Sequence, residues 1–238
     1  MRIDARVIGN LGMNHQFMCY ARIPTLTRRT DLSDSRFALQ RHWFKEFKAY
    51  IDQSSDLKSE VELAFEMLLG EYDTAVYENR FVVGGVCEYI IGAAFRAAGI
   101  DALNTGALNT RIDIQLPDCE GYSVKGSFTH GYGDIRLINS LGSADDLEWI
   151  EATIFIFSGL GLGYCDPELL PVATRSTKDA LVLSRRRLDE FLKQQHEYLI
   201  PLDIPYKSDN PSETKVASQA VAREIMTRPG FKILASHI

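Results

Sequence analysis

Apolar residues recur at helical spacing in three segments of the first hundred residues. The spacing predicts a helix beginning near Asp34, a second over residues 56–69 and a third over residues 84–98. Gly70 and Gly99 follow the second and third segments, and glycine at such positions is typical of helix ends. The first half of the chain is therefore predicted to begin as a set of helices.

The period then changes from helical to alternating. Four segments show the pattern of β-strands, and a turn with Pro117 and Asp118 joins the first two into a hairpin. The predicted strands cover residues 111–116, 122–128, 134–139 and 152–157. A short helix is expected at 145–149, and the glycines of 159–163 are interpreted as a turn.

Helical spacing returns over residues 177–194 and 213–226. The order of helices, strands and helices predicts an α/β (mixed α+β) fold, a mixed β-sheet flanked by helices. We expect one domain over residues 1–238, with an N-terminal helical part (1–80), a central part (81–170) and a C-terminal helical part (171–238).

Composition places the chain among ordinary globular proteins, since 45% of its 238 residues are hydrophobic and 24% are charged. No apolar run approaches the roughly 20 residues of a membrane span, and the N-terminus lacks the apolar core of a signal peptide. The four cysteines are far apart, which argues against zinc and disulfides. We therefore expect a soluble, cytoplasmic protein with no membrane partner.

The formal net charge of −6 argues against a protein that coats nucleic acid non-specifically. It does not exclude an enzyme of DNA, because acidic residues gathered around a metal lower the net charge while a local basic face holds phosphates.

Candidate chemistry lies in the predicted hairpin. Asp113 points away from the apolar face of its strand, and Ser123 and Lys125 share one face of the next strand. A carboxylate and an amine could then converge, an arrangement suited to metal-assisted phosphodiester hydrolysis. The alternative is structural: Lys125 as a protective lysine on an edge strand and Asp113 as a solvated strand residue.

These residues resemble the two half-motifs of the PD-(D/E)XK nucleases, particularly type II restriction endonucleases. Ile112-Asp113 is similar to the first half-motif, Ser123-Val124-Lys125 is a variant of the second, and the helix carrying Glu88 is similar to the family's opening helix. The resemblance implies a restriction-endonuclease-like core, a catalytic group of Glu88, Asp113, Ser123 and Lys125, and Mg²⁺, replaceable by Mn²⁺, on Glu88 and Asp113.

The chain departs from the family pattern at two positions. Ile112 replaces the usual proline, and Ser123 stands where the family has an acid. A similar Ser-Val-Lys arrangement occurs in restriction enzymes that cut around CCGG, where a later glutamate takes over. Glu88, Glu148 and Glu151 are the candidates for the third acid, and the helix-to-strand order favours Glu88.

The resemblance further implies a sequence-specific endonuclease, with double-stranded DNA as substrate, acting as a homodimer in a restriction system. The central part would be the catalytic core, and residues 1–80 would serve DNA recognition or dimerisation. Arg28, Arg29, Arg185 and Arg186 are the candidate DNA contacts. Because Ser123 replaces an acid, the alternative is a non-catalytic DNA- or protein-binding domain with a degenerate nuclease fold.

Overall fold

A computed structural model describes residues 35–74, 77–106, 111–131, 133–139, 148–171, 174–177, 180–207 and 216–238. Three helices come first: α1 (Ala38–Gln53), α2 (Ser55–Glu71) and α3 (Tyr77–Ala97). The predicted limits are wrong at two points, because Gly70 lies inside α2 and Gly84 lies inside α3. Gly70 was interpreted as a stop signal, but α2 continues one residue further to Glu71, and the third helix, predicted from about Gly84, begins seven residues earlier at Tyr77.

Nine strands follow in the described part of the chain. They are β1 (Leu103–Asn104), β2 (Ile114–Leu116), β3 (Cys119–Ser127), β4 (Ile135–Asn139), β5 (Thr153–Phe157), β6 (Gly161–Cys165), β7 (Thr174–Ser176), β8 (Ala180–Leu183) and β9 (Leu199–Ile200). The hairpin predicted from the first two sequence segments is present as β2 and β3, and Asp118 lies in its turn at φ 60°. The glycine segment is a turn only as far as Leu160, and β6 begins at Gly161.

The larger sheet has the order β1-β2-β3-β5-β6-β9. β3 and β5 are parallel, whereas the other neighbours are antiparallel, so the sheet is mixed as predicted. β3 is an interior strand, with hydrogen-bonded neighbours on both sides. The fold is thus mixed α and β, with helices flanking a mixed sheet.

The smaller sheet has the order β4-β8-β7. It corrects the helix predicted over residues 177–194, since β8 ends at Leu183 and α4 (Arg185–Gln194) begins after Ser184. The Ser184 hydroxyl accepts the N–H of Arg187, a typical N-cap bond. α5 (Ser218–Met226) is the last α-helix.

Two further predictions lie partly outside the described residues. Of the short helix expected at 145–149, only Glu148 and Trp149 are described, and neither is helical. α5 begins five residues later than the helix predicted from 213, and residues 208–215 are not among those described. The part predicted as C-terminal helices also contributes β7, β8 and β9.

The core lies between the larger sheet and the first three helices. All five residues of β5 and all five of β6 are buried. Aromatic rings join the layers, since Phe47 of α1 stacks on Phe95 of α3 with centroids 4.1 Å apart and Phe95 contacts Tyr122 of β3. None of the described helices combines the length and the apolar character required to cross a bilayer.

Candidate functional site

Asp113 immediately precedes β2, and its backbone N–H donates to the carbonyl of Tyr122 on β3 at 2.9 Å. This pairing brings its carboxylate beside the next two residues of β3. Oxygen Oδ2 accepts the backbone N–H of Val124 at 2.6 Å and the hydroxyl of Ser123 at 3.1 Å. The side chain is therefore fixed, and its oxygen Oδ1 accepts no hydrogen bond from the described residues.

Lys125 lies one residue after Val124, on the half-buried side of β3. Its ammonium makes no hydrogen bond or ion pair with any residue in the described ranges. β2 pairs only with the first part of β3, Cys119 to Tyr122, and at Lys125 the ladder partner is Phe155 of β5. The half-buried Lys125 ammonium is therefore available to a ligand.

Glu88 lies on α3, and its backbone carbonyl accepts the Asn104 side-chain amide at 2.6 Å. Burial, together with the negative charge of Asp113, raises the pKa of the Glu88 carboxyl to about 7, and Lys125 opposes the shift. Both charges from the hairpin are thus within electrostatic reach of the Glu88 carboxylate. The structure brings Glu88, Asp113 and Lys125 into one neighbourhood, with Ser123 bonded to Asp113.

The two other candidates for a third acid lie elsewhere. Glu151 is buried and pairs with Arg111 at 2.6 Å, beside a separate cavity of about 320 Å³ that Arg36 also lines. Glu148 is exposed. The charges that act on Glu88 come from Asp113 and Lys125, so among the described residues Glu88 and Asp113 make up the acidic part of the site.

A divalent cation can be tested against these residues. In the described ranges no group of three or more His, Cys, Asp or Glu side chains could hold a metal ion. Two carboxylates are nevertheless the hard oxygen donors that Mg²⁺ uses, since it commonly binds one or two protein carboxylates and keeps several waters. Burial is the main cause of the raised pKa of Glu88 and the negative charge of Asp113 is the second, and a cation bound between the two carboxylates would relieve their repulsion.

Of the arginines predicted to contact DNA, Arg185 is buried and Arg186 is exposed. Arg185 is only 6% exposed, pairs with Asp189 at 2.7 Å and lies 3.7 Å from the ring centroid of Phe157. This burial does not fit a DNA contact, and the charge has a structural partner. Arg186 is exposed and pairs with Glu190 at 3.0 Å, while Arg28 and Arg29 lie outside the described residues.

A cavity of about 410 Å³ lies beside Lys125, between α3 and β3. Sequence reasoning missed the residues that α3 contributes to it, among them Arg80, Gly84 and Cys87. The available signal was a glycine inside a helical pattern, because glycine in a helix interior calls for a packing or ligand-related reason. Burial raises the pKa of the Cys87 thiol, which argues against a thiolate nucleophile in this cavity.

Comparison with known proteins adds no relative to this description. A scan against protein-family models gives no match, and searches of curated proteins and of solved structures find no similar protein.

Proposed function

We propose that the chain is a divalent-metal-dependent endodeoxyribonuclease that hydrolyses phosphodiester bonds in double-stranded DNA. One observation carries the proposal: the Lys125 ammonium has no partner among the described residues, and it acts on the same Glu88 carboxyl as Asp113 does. Two carboxylates that can hold a metal ion, beside an amine that can contact the phosphate, suit the hydrolysis of a phosphodiester bond.

The metal would be held by Glu88 and Asp113, with Mg²⁺ preferred and Mn²⁺ as substitute, because both donors are carboxylates. When bound, such a cation supplies Lewis-acid polarisation of the phosphate and a lower pKa for the attacking water. Ser123 is not proposed as a metal ligand. Its hydroxyl donates to Asp113, so we propose it as a positioning residue.

The remaining chemistry falls to the side chains of this chain. The oxygen of water forms a new P–O bond while one P–O ester bond breaks. The water gives up one proton, and the departing oxygen takes up one proton to become the hydroxyl end of the cut strand. Lys125 would orient the water and stabilise the additional negative charge on the phosphate oxygens. The bond from Val124 N–H holds oxygen Oδ2 of Asp113 in place and leaves oxygen Oδ1 for a cation.

The mixed sheet flanked by helices and the acidic residue on α3 support a restriction-endonuclease-like core as the finer description of the fold. We propose sequence-specific cleavage by a homodimer in a cytoplasmic restriction or defence system, because a two-fold axis matches two cuts to two strands.

Cleavage of plasmid DNA in Mg²⁺ tests the proposal. Wild-type protein should nick or linearise the plasmid, and Asp113→Asn and Lys125→Ala should each lower the rate by at least about a hundredfold. Asp118→Asn is the matched control for the first change, since Asp118 lies in the exposed turn at positive φ, which asparagine tolerates. Lys193→Ala, on the exposed side of α4, is the control for the second.

Cleavage that persists in both variants would move the site elsewhere in the chain. A wild-type protein that binds DNA yet cleaves none, including phage and modified DNA, would favour the second candidate, a non-catalytic binding domain. The observation behind that candidate is that the described residues offer two carboxylates and no larger group of metal ligands.

A further inference from the structure

The cavity between α3 and β3 has two unlike walls. α3 contributes Arg80, Gly84 and Cys87, and the chain around β3 contributes Lys125, Ser127 and Phe128. Its volume of about 410 Å³ lies within the roughly 300–1,000 Å³ of small-molecule sites. Cations, hydroxyls and an aromatic ring therefore face one space large enough for a ligand.

The charge of this cavity is opposite in sign to that of the chain. Lys125 and Arg80 line it, and no Asp or Glu is among its lining residues, whereas the chain carries a net charge of −6. Within the described ranges neither cation forms an ion pair; the Arg80 Nε–H donates only to the carbonyl of Thr74 at 2.8 Å. The Glu88 and Asp113 carboxylates lie in the neighbourhood of Lys125, but no described carboxylate pairs with either cation or lines the cavity. A lining with two such cations favours an anionic ligand.

Arg185 does not line the cavity, but its guanidinium donates at 3.1 Å to the hydroxyl of Ser127, which does. Its charge is balanced by Asp189, so it adds a fixed hydrogen-bonded hydroxyl and little net charge. The positive character of the cavity thus comes from Lys125 and Arg80.

Gly84 is the unusual residue of the α3 wall. Glycine in a helix interior costs about 1 kcal/mol relative to alanine, so its presence needs a reason. Neighbouring Gly85 has one, because a Cβ there would come within 2.5 Å of the Ser218 hydroxyl on α5. A Cβ at Gly84 would meet nothing within 4 Å, and this exposed position opens onto the cavity.

We propose that this cavity binds the phosphate ester of a nucleotide, and that Gly84 lacks a side chain so that the nucleotide lies against the surface of α3. Lys125 and Arg80 hold the phosphate, and the Phe128 ring contacts the sugar or base. The inference rests on the proposed function in one respect: it takes the ligand from the DNA strand that is cut. Gly84 is thereby a positioning residue for that strand.

The test uses Gly84→Leu and a matched variant, Gly70→Leu. Gly70 is also an exposed helical glycine where an added Cβ would meet nothing within 4 Å, and it lies on α2, away from the cavity lining. Leucine favours a helix over glycine, so both variants should unfold at the same or a higher temperature than wild type. Loss of binding in Gly84→Leu alone then reflects the filled cavity.

Binding is measured on the full chain by amide chemical-shift titration with inorganic phosphate, thymidine 5′-monophosphate and a short oligonucleotide, without divalent metal. We expect shifts at Gly84 and Gly126, and affinity for the monophosphate reduced about tenfold or more in Gly84→Leu and in Lys125→Gln, but not in Gly70→Leu. Tighter binding of the oligonucleotide than of the free monophosphate would assign the ligand to a DNA strand; the reverse order would assign it to a free nucleotide and overturn the inference.

Failure of the inference and failure of the proposed function give different results. Plasmid cleavage and oligonucleotide binding that are unchanged in Gly84→Leu overturn the inference while the nuclease stands. Nucleotide binding that depends on Gly84 and Lys125, without any cleavage, retains the binding site and overturns the nuclease. Absence of shifts with all three probes in wild type also overturns the inference.

Discussion

The backbone N–H of Val124 donates to the Asp113 carboxylate at 2.6 Å, and this bond ties the first half of the candidate site to the strand that carries Lys125. A backbone donor cannot be removed by changing its side chain, so the position of Asp113 is built into the pairing of β2 with β3. The Ser123 hydroxyl adds a second bond to the same oxygen at 3.1 Å.

Ser123→Ala should therefore weaken the site without dismantling it. We expect the free energy of unfolding to fall by about 1 kcal/mol, the usual contribution of one hydrogen bond, and plasmid cleavage to fall by roughly three- to tenfold. Denaturant unfolding and cleavage rates measure the two effects, with Ser176→Ala on exposed β7 as control. A loss as large as that of Asp113→Asn would contradict a positioning role for Ser123.

Glu88→Gln should stabilise the metal-free protein at alkaline pH. Because the folded-state pKa of Glu88 is raised to about 7, the folded protein retains a proton that the unfolded chain loses above about pH 4.5. The contribution of Glu88 is thus fully present below that pH and is lost as the pH rises through 7. Gln does not titrate, so its advantage in EDTA should be near zero at about pH 4.5 and about 1–2 kcal/mol at about pH 8.5, after allowance for solvent screening.

Urea unfolding at those two pH values measures this difference, and Glu66→Gln on the exposed face of α2 serves as control. Mg²⁺ should then stabilise the wild type at about pH 8.5 and have little effect on Glu88→Gln, because a ligand that binds the folded state alone raises its stability. Equal stability of Glu88→Gln and wild type at both pH values would show that the pKa of Glu88 is not raised in the folded protein.

Glu60 holds the C-terminal segment to α2. Its carboxylate is only 7% exposed and accepts the backbone N–H groups of Lys232, Ile233 and Leu234 at 2.8–2.9 Å. Gln at this position would turn an N–H₂ group toward those donors. We expect Glu60→Gln to lower the free energy of unfolding by about 2–3 kcal/mol, measured by chemical denaturation against Glu66→Gln, and an effect below that of the control would exclude this anchoring role.

Asp166 is fully buried and should be the most sensitive acid of the fold outside the site. Both carboxylate oxygens bind Arg41, at 2.7 and 2.8 Å, and the Tyr164 hydroxyl donates to it at 2.8 Å. Asp166→Asn would leave the Arg41 charge partly uncompensated, so we expect a loss of about 3–4 kcal/mol in unfolding free energy. Asp52→Asn, which breaks an exposed pair with Lys48, should cost less than about 0.5 kcal/mol.

Secondary structure was predicted correctly where one spacing of apolar residues continued without interruption. The hairpin over β2 and β3 was predictable because alternation places Asp113 opposite the apolar face and Pro117-Asp118 marks its turn. The electrostatic coupling of Glu88 to this hairpin was not deducible from spacing, since it depends on how closely α3 packs on β3. Resemblance to a known family suggested Glu88, and burial explains its raised pKa.

Prediction failed where two elements share one apolar pattern. The apolar residues of β8 run directly into those of α4, so the pair was interpreted as one helix, although the Ser184 cap was visible in the sequence. Glycine was also misleading. Gly161 was assigned to a turn, but it is a strand residue at φ 112° whose Cβ would collide with the backbone carbonyl of Ile200 on β9. Close approach of backbones is a tertiary property that a single sequence does not display.

The five buried residues of β5 lie directly against β3, from Ser123 to Ser127. We expect amides so placed to exchange with solvent mainly through opening of the whole domain. The paired strands β3 and β5 should therefore belong to the slowest-exchanging part of the molecule. Mild heating or low denaturant should unfold peripheral segments well before it changes the distance between the Asp113 carboxylate and the Lys125 ammonium. Activity lost under such conditions would indicate a change in the peripheral segments around the site, with Asp113 and Lys125 still in place.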